Sequence, residues 1–316
     1  MSHRTRTAPC TLLRAFAVID VNRPNLKLAA GEHIHPNYPN TSFSFNRNLP
    51  VNFYGPARIV GSLDISYSSH VTRMRDLEVE AGGVTLSYYG TNNPRPTLDI
   101  DRLVVTGGGI SASGASMNVR NSRVTAASGG SCVGGTSGST MTLANLDLEG
   151  GLFGVIIGQE TAMTLTNSVL KNHSMKAINF VGTDATSFPP LASSVSFTTF
   201  YNTKLPCPTG AVIISSSNNI FLNQAAGAPA DTVSGVSCRH YYSLISPQTT
   251  TPPGGPNNIL GMDPKFVNAA GGDFHLMVGS PAIDAADPGA TQTLDFDGVV
   301  RPQGGGRDMG AFEYKP

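Results

Sequence analysis

Between residues 72 and 170 the chain alternates apolar and polar positions in short bursts that lie over one another: TRMRDLEV from Thr72, LDIDRLVV from Leu98, MNVRNSRV from Met117, MTLANLDL from Met141 and MTLTNSVL from Met163. Their third and eighth places hold Met74 and Val79, Ile100 and Val105, Val119 and Val124, Leu143 and Leu148, and Leu165 and Leu170. A period of two is that of a strand with one buried face. The starts lie 26, 19, 24 and 22 residues apart, a loose period of the kind that marks a solenoid. No amphipathic helix separates the bursts and no leucine-rich consensus is present. The pattern therefore predicts an all-β fold, a single-stranded right-handed parallel β-helix with one burst per coil.

The fifth place reads Asn121, Asn145 and Asn167 in three consecutive coils. Each amide could donate to the same amide one coil along, as a ladder, or the three could be independent turn asparagines; both readings put them at a bend. Beyond Leu170 the solenoid is expected to continue through VSFTTFY from Val195 and VIISSS from Val212, with loops at residues 182–194 and 246–258.

A solenoid exposes apolar faces at its two ends, which need covering. At the start, Thr11 is an N-cap for a short helix whose Leu12, Phe16 and Ile19 share one face, and Pro24 stops the segment. At the end stands DFDGVVRPQGGGRDMGAFEY, residues 295–314. It is rich in glycine, yet Val299, Val300, Met309, Phe312 and Tyr314 are too apolar for a solvated tail. We expect it to fold back over the last coil. The organisation is then residues 1–50 as cap and entry strands, 51–245 as β-helix, and 246–316 as loop and capping module.

Composition narrows the function. Lys plus Arg and Asp plus Glu are 21 each, the formal net charge is +0 and only 13% of the 316 residues are charged, which gives nucleic acid no steering field. The apolar run LLRAFAVI at residues 12–19 contains Arg14 and is too short to span a bilayer. The residues around Arg4 and Arg6 lack the apolar region of a secretory signal. Cys10, Cys132, Cys207 and Cys238 show no C-x-x-C spacing, which argues against zinc and leaves their disulfide state open.

The segment CTLLRAF at residues 10–16 resembles a degenerate CSLREA motif, found near the start of many bacterial right-handed parallel β-helix proteins. YYSLIS at 241–246, then NILGMDPKFV, DFHLMVGSPAID and DFDGVVRPQGGGRDMGAFEY, resemble the C-terminal module of those proteins, often labelled choice-of-anchor Q. The resemblance implies a pectin-lyase-like fold and a secreted or cell-surface location. We expect a monomer that works through its lateral surface as a non-catalytic binding or adhesion module, with glycans as ligands because long polar strand faces suit extended polysaccharides. The same fold carries pectate lyases and polygalacturonases, so the alternative is a polysaccharide lyase or glycoside hydrolase working along the lateral groove.

Lyases of this fold generally combine clustered carboxylates holding Ca²⁺ with an Arg or Lys base; the hydrolases use grouped aspartates near Gly-His-Gly and Arg-x-Lys, and neither hydrolase signature is present. The best carboxylate pair is Asp99 and Asp101 in LDIDR, which share a face, with Arg102 beside them and Arg120 or Arg123 on the next coil. The competing reading is a solvated strand face with ion pairs. Lys171 and His173 in LKNHS are candidate bases. Glu32, His33 and His35 in GEHIHP are candidate metal ligands. Asp295, Asp297 and Asp308 raise a Ca²⁺ site because D-x-D-G opens calcium loops, but Val299 and Arg301 stand where oxygens are wanted, so turn-capping carboxylates are the simpler reading. No cofactor is expected. The acids between residues 98 and 170, namely Asp99, Asp101, Asp147, Glu149 and Glu160, do not repeat at one column, so no cleavage of polyuronates is expected.

Overall fold

The computed structural model describes residues 11–34, 36, 42–66, 69–90, 95–181, 191–204, 214–223, 238–246 and 255–316. His35, Cys10 and Cys207 lie outside these. Two parallel sheets wrap one core. In the larger, the strands Val51–Val60, Val71–Glu80, Thr97–Thr106, Ser116–Ala126 and Thr140–Gly150 stack in register. In later coils the bend splits this strand into two consecutive short ones, each stacked on its counterpart in the next coil: Ala162–Thr166 then Val169–Lys171, Ser193–Ser196 then Thr199–Tyr201, Ile214–Ser217 then Ile220–Leu222, and Cys238–Tyr241 then Leu244–Ser246. The second sheet has seven strands running from Phe43–Phe45 to Lys176–Phe180 in sequence order.

The register is the one that the aligned bursts require. Met74, Ile100, Val119, Leu143 and Leu165 are successive partners, as are Val79, Val105, Val124, Leu148 and Leu170. All ten lie in one buried cluster. Apolar side chains thus stack coil on coil, and each coil buries its neighbour's inward face.

The fifth place is the bend. Asp76, Arg102, Asn121, Asn145 and Asn167 all adopt left-handed φ between 46° and 56°, and Phe197, Asn218 and Tyr242 continue the column. This conformation costs an ordinary L-residue roughly 1–2 kcal/mol, and asparagine tolerates it best. A bend also takes the next backbone N–H out of the sheet ladder, and a side chain of the following coil accepts from it instead. Leu103 N donates to Ser122 Oγ (3.0 Å), Leu146 N to Ser168 Oγ (3.1 Å), Thr198 N to Asn219 Oδ1 (2.9 Å) and Ser243 N to Asn258 Oδ1 (3.0 Å). These buried donors are therefore satisfied.

At the first coil the helix Leu12–Val18 begins at its N-cap Thr11, and Leu12, Phe16 and Ile19 are buried. The Phe16 ring meets Phe45 and Phe53 edge-on at 5.5 and 5.8 Å, which plugs the coil as expected.

The C-terminal segment behaves differently from the expectation that it folds over the last coil: it lies along the outside of several coils. Met309, Ala311 and Phe312 form a second core with Val169, Tyr201, Ile220 and Leu244. Those four belong to strands whose inward residues Leu170, Phe200, Phe221 and Ile245 are in the main core, so these strands are buried on both faces. Gly310 makes the approach. With φ +86°, it donates to Asn218 O at 2.8 Å, and a Cβ there would meet Ile220 Cδ1 at 2.7 Å and Thr199 Oγ1 at 2.9 Å. The reason for the lateral position is in the outward column itself, which reads Arg58, Glu78, Val104, Arg123 and Asp147 and then turns to Val169, Thr199, Ile220 and Leu244. Only the second half offers an apolar surface to cover.

Candidate functional site

Asp99 and Asp101 do share an outward face, and the structure surrounds them with arginine. Asp101 accepts from Arg75 Nη1 (2.7 Å), Arg102 Nη1 (2.7 Å) and Asn121 Nδ2 (2.8 Å). Asp99 accepts from Arg75 Nη2 (3.2 Å) and Arg120 Nη1 (2.9 Å), with Arg73 Nε at 3.8 Å. Arg102 also grips Asp76 through Nε (2.5 Å) and Nη2 (3.0 Å); this hydrogen bond holds the Asp76 carboxyl below its ordinary range and raises Arg102. Four guanidinium groups around two carboxylates make a poor cation site, because a Ca²⁺ ion would be repelled and would have to displace charge-assisted hydrogen bonds. Arg123, a candidate partner of this pair by sequence, instead donates from Nε to Asp147 Oδ2 at 2.9 Å.

Lys171 and His173 do not form a shared basic site. Lys171 Nζ is 2.7 Å from Asp147 Oδ1 and 3.6 Å from Glu149 Oε2, in a side chain 12% exposed. His173 is buried, donates from Nδ1 to Gly150 O at 2.6 Å, and turns Nε2 towards Gly154. Burial pulls its pKa down to about 4, which favours the neutral imidazole in the folded chain. Glu32 pairs with Arg58 (2.7 Å) and His33 Nε2 contacts Ala29 O (3.2 Å).

In the C-terminal module the carboxylates cap backbone, in line with the simpler reading of the D-x-D-G segment. Asp295 accepts from the N–H groups of Asp297 (2.9 Å), Val299 (2.7 Å) and Glu313 (2.9 Å). Asp308 accepts from Asp284 N (2.8 Å) and Tyr314 N (2.6 Å), with burial pushing its pKa to about 6. Arg301 is buried over the Phe197 ring at 4.7 Å and bonds Glu313 Oε2 at 2.8 Å. Asp297 is elsewhere, on His275 Nε2 (2.8 Å), whose Nδ1 meets Asp273 (2.6 Å). Burial lowers the His275 pKa, but the two carboxylates outweigh it and hold the imidazole above its ordinary value. Among the described residues no group of three or more His, Cys, Asp or Glu side chains is placed to hold a metal ion.

The asparagine column is a ladder for one step only. Asn145 Nδ2 donates to Asn121 Oδ1 at 3.0 Å; Asn121 then turns to Asp101, and Asn167 donates to Leu294 O at 2.6 Å in the C-terminal module. The other sheet presents a quiet outer column of Asp64, Thr85, Ser111, Gly134, Ile156 and Asn179. Cys132 is a buried free thiol that burial pushes to about 12, which leaves it unreactive.

Two features of the site are missing from the expectations drawn from sequence. Arg73 and Arg75 occupy the second and fourth places of the first burst, the places of Asp99 and Asp101, so the alignment of bursts itself opposes them across one rung. Phe296 carries no such signal, because nothing local says which coil it meets. It lines a cleft of about 310 Å³ with Val104, Asn121, Ser122, Arg123, Asn145 and Asp147.

Neither a family model nor a curated protein matches the chain. Among solved structures, one titled "Crystal structure of pectate lyase Pel9A" superposes with a TM-score of 0.64 at 12% identity, covering 98% of this chain and 92% of that one. At this identity the likeness shows the fold alone. The chain is a right-handed parallel β-helix of the pectin-lyase type, and no helix among the described residues is long and apolar enough to cross a membrane.

Proposed function

We propose that this β-helix is a secreted or cell-surface binding module for extended glycans, carrying a CSLREA-like start and a choice-of-anchor Q type C-terminal module, and that it does not cleave its ligand. The observation that carries the reading is the saturation of Asp99 and Asp101 by Arg75, Arg102, Arg120 and Asn121, which leaves the best carboxylate pair committed to protein partners. General acid–base or metal-assisted cleavage needs such a group free to meet substrate. A long polar face with little net charge suits a neutral polymer held by many weak contacts.

The second reading, a lyase or hydrolase of acidic polysaccharide, has the likeness to a pectate lyase in its favour. The two separate in one experiment: a glycan array beside an absorbance assay for unsaturated uronates on polygalacturonate and alginate, with and without Ca²⁺. We expect retention on neutral glycans and a flat absorbance trace. Sustained turnover of either polyuronate would overturn the binding reading.

A further inference from the structure

We infer that the cleft between Phe296 and the bend column is a subsite for one or two neutral pyranose units, an inference that rests on the glycan-binding reading and gives it a location. The cleft joins two parts of the chain far apart in sequence. Phe296 comes from the C-terminal module, and Val104, Asn121, Arg123, Asn145 and Asp147 come from three successive rungs of the sheet. The module is anchored beside it by the bond from Asn167 to Leu294 O and by the packing of Phe296 on Phe312, ring centroids 5.2 Å apart. The wall is therefore held.

Its chemistry is that of a sugar site. Phe296 and Val104 are the apolar lining, and Val104 is the one apolar residue in the otherwise charged stretch Arg58, Glu78, Val104, Arg123, Asp147 of the outward column. Its 39% exposure leaves it uncovered by the module. Apolar surface receives the C–H face of a pyranose, and the polar groups around it have capacity to spare. Arg123 spends only Nε on Asp147, and its side chain is 65% exposed, so both terminal nitrogens remain to bind vicinal hydroxyls as a fork. Asn145 uses one N–H on Asn121, which leaves its second N–H and its oxygen for a hydroxyl. The charges about the lining balance, Arg123 and Lys171 against Asp147 and Glu149, so a uronate gains no net attraction over a neutral hexose. A volume of about 310 Å³ is at the small end of ligand pockets, enough for one or two rings of a longer chain.

The chain contains no tryptophan, so Phe296→Trp installs in the cleft wall a single tryptophan, which is excited selectively over the 9 tyrosines. Titrated with cellohexaose, mannohexaose and xylohexaose, this variant should show a saturable shift of emission with at least one of them, at an affinity equal to or above that of the unaltered chain by calorimetry. Phe296→Ala should weaken the same binding about tenfold. Because Phe296 also packs in the second core, Arg123→Gln at an exposed position serves as the independent variant and should weaken binding several-fold with an unchanged melting temperature. If the unaltered chain binds an oligosaccharide while Phe296→Trp emission stays flat and Arg123→Gln binds equally well, the subsite is wrong and the glycan-binding reading stands. If neither the array nor the titrations show binding by the unaltered chain, both fall.

Discussion

The rungs before residue 150 and those after residue 163 share their inward columns and differ outside. Before, the outward places hold Arg73, Arg75, Asp99, Asp101 and Arg120, which pair with one another, and Arg123, which pairs with Asp147. After, they hold Val169, Ile220 and Leu244, which are covered by Met309, Ala311 and Phe312. The inward pattern makes the solenoid and is indifferent to function. The outward pattern decides what each length of solenoid meets: an open charged face in one half, the chain's own C-terminal segment in the other.

The largest test of that contrast removes the cover. Deleting residues 295–316 should strip the second core and expose an apolar strip along four rungs, giving aggregation by light scattering and a large fall in melting temperature. A monomeric truncation that melts like the full chain would mean that the strip needs no cover. Next comes a pair of substitutions at two valines of one column. Val169→Asp places a carboxylate in a side chain 2% exposed and should cost about 3–5 kcal/mol in urea unfolding. Val104→Asp, in the open half, should stay within about 0.5 kcal/mol. Equal costs would erase the distinction between the halves.

Much of the fold is legible in the amino-acid sequence. The inward columns are, because period-two alternation and stacking are local and repetitive, and Thr72, Leu98, Met117, Met141 and Met163 prove to be true register partners. The helix Leu12–Val18 is, because a cap and one apolar face define it. The lateral docking is not among the expectations from sequence, although VL, TFY and IFL at 169–170, 199–201 and 220–222 are apolar on both faces, the mark of a strand covered on each side. The candidate site is less legible. That Asp99 and Asp101 point outward follows from alternation, whereas their capture by Arg75 depends on side-chain reach across a rung. The burial of His173 depends on the backbone turning in after Asn172, which has φ 58°.

Acid should act on the C-terminal coils through buried imidazoles. Burial holds His173 and His240 at about 4, against an ordinary value of 6.5, so the folded chain keeps them neutral while the unfolded chain protonates. Stability is then full above pH 6.5 and is lost as pH falls from 6.5 to 4, by up to about 3 kcal/mol for each histidine. Asp308, held at about 6, takes up its proton earlier in the folded than in the unfolded chain and offsets about 2 kcal/mol of this loss as pH falls. Urea titrations at about pH 7 and 4.5, on either side of most of that window, should show the net loss, and His173→Asn should reduce it by about 2–3 kcal/mol. An identical pH slope in that variant would mean that His173 protonates freely in the folded chain.

The smallest expected effect compares one position in both halves. Asn145 and Asn167 occupy the same bend place on adjacent rungs, with φ 54° and 46°. Asn145→Ala puts an ordinary side chain into the left-handed region and loses an exposed bond to Asn121, a cost of about 1 kcal/mol. Asn167→Ala pays the same backbone cost and also leaves the carbonyl of Leu294 without its donor, at a site where Asn167 is buried. It should therefore cost about 1 kcal/mol more. If the two alanines destabilise equally, the bond from the bend column to the C-terminal module contributes nothing, and apolar packing alone holds the module against the later rungs.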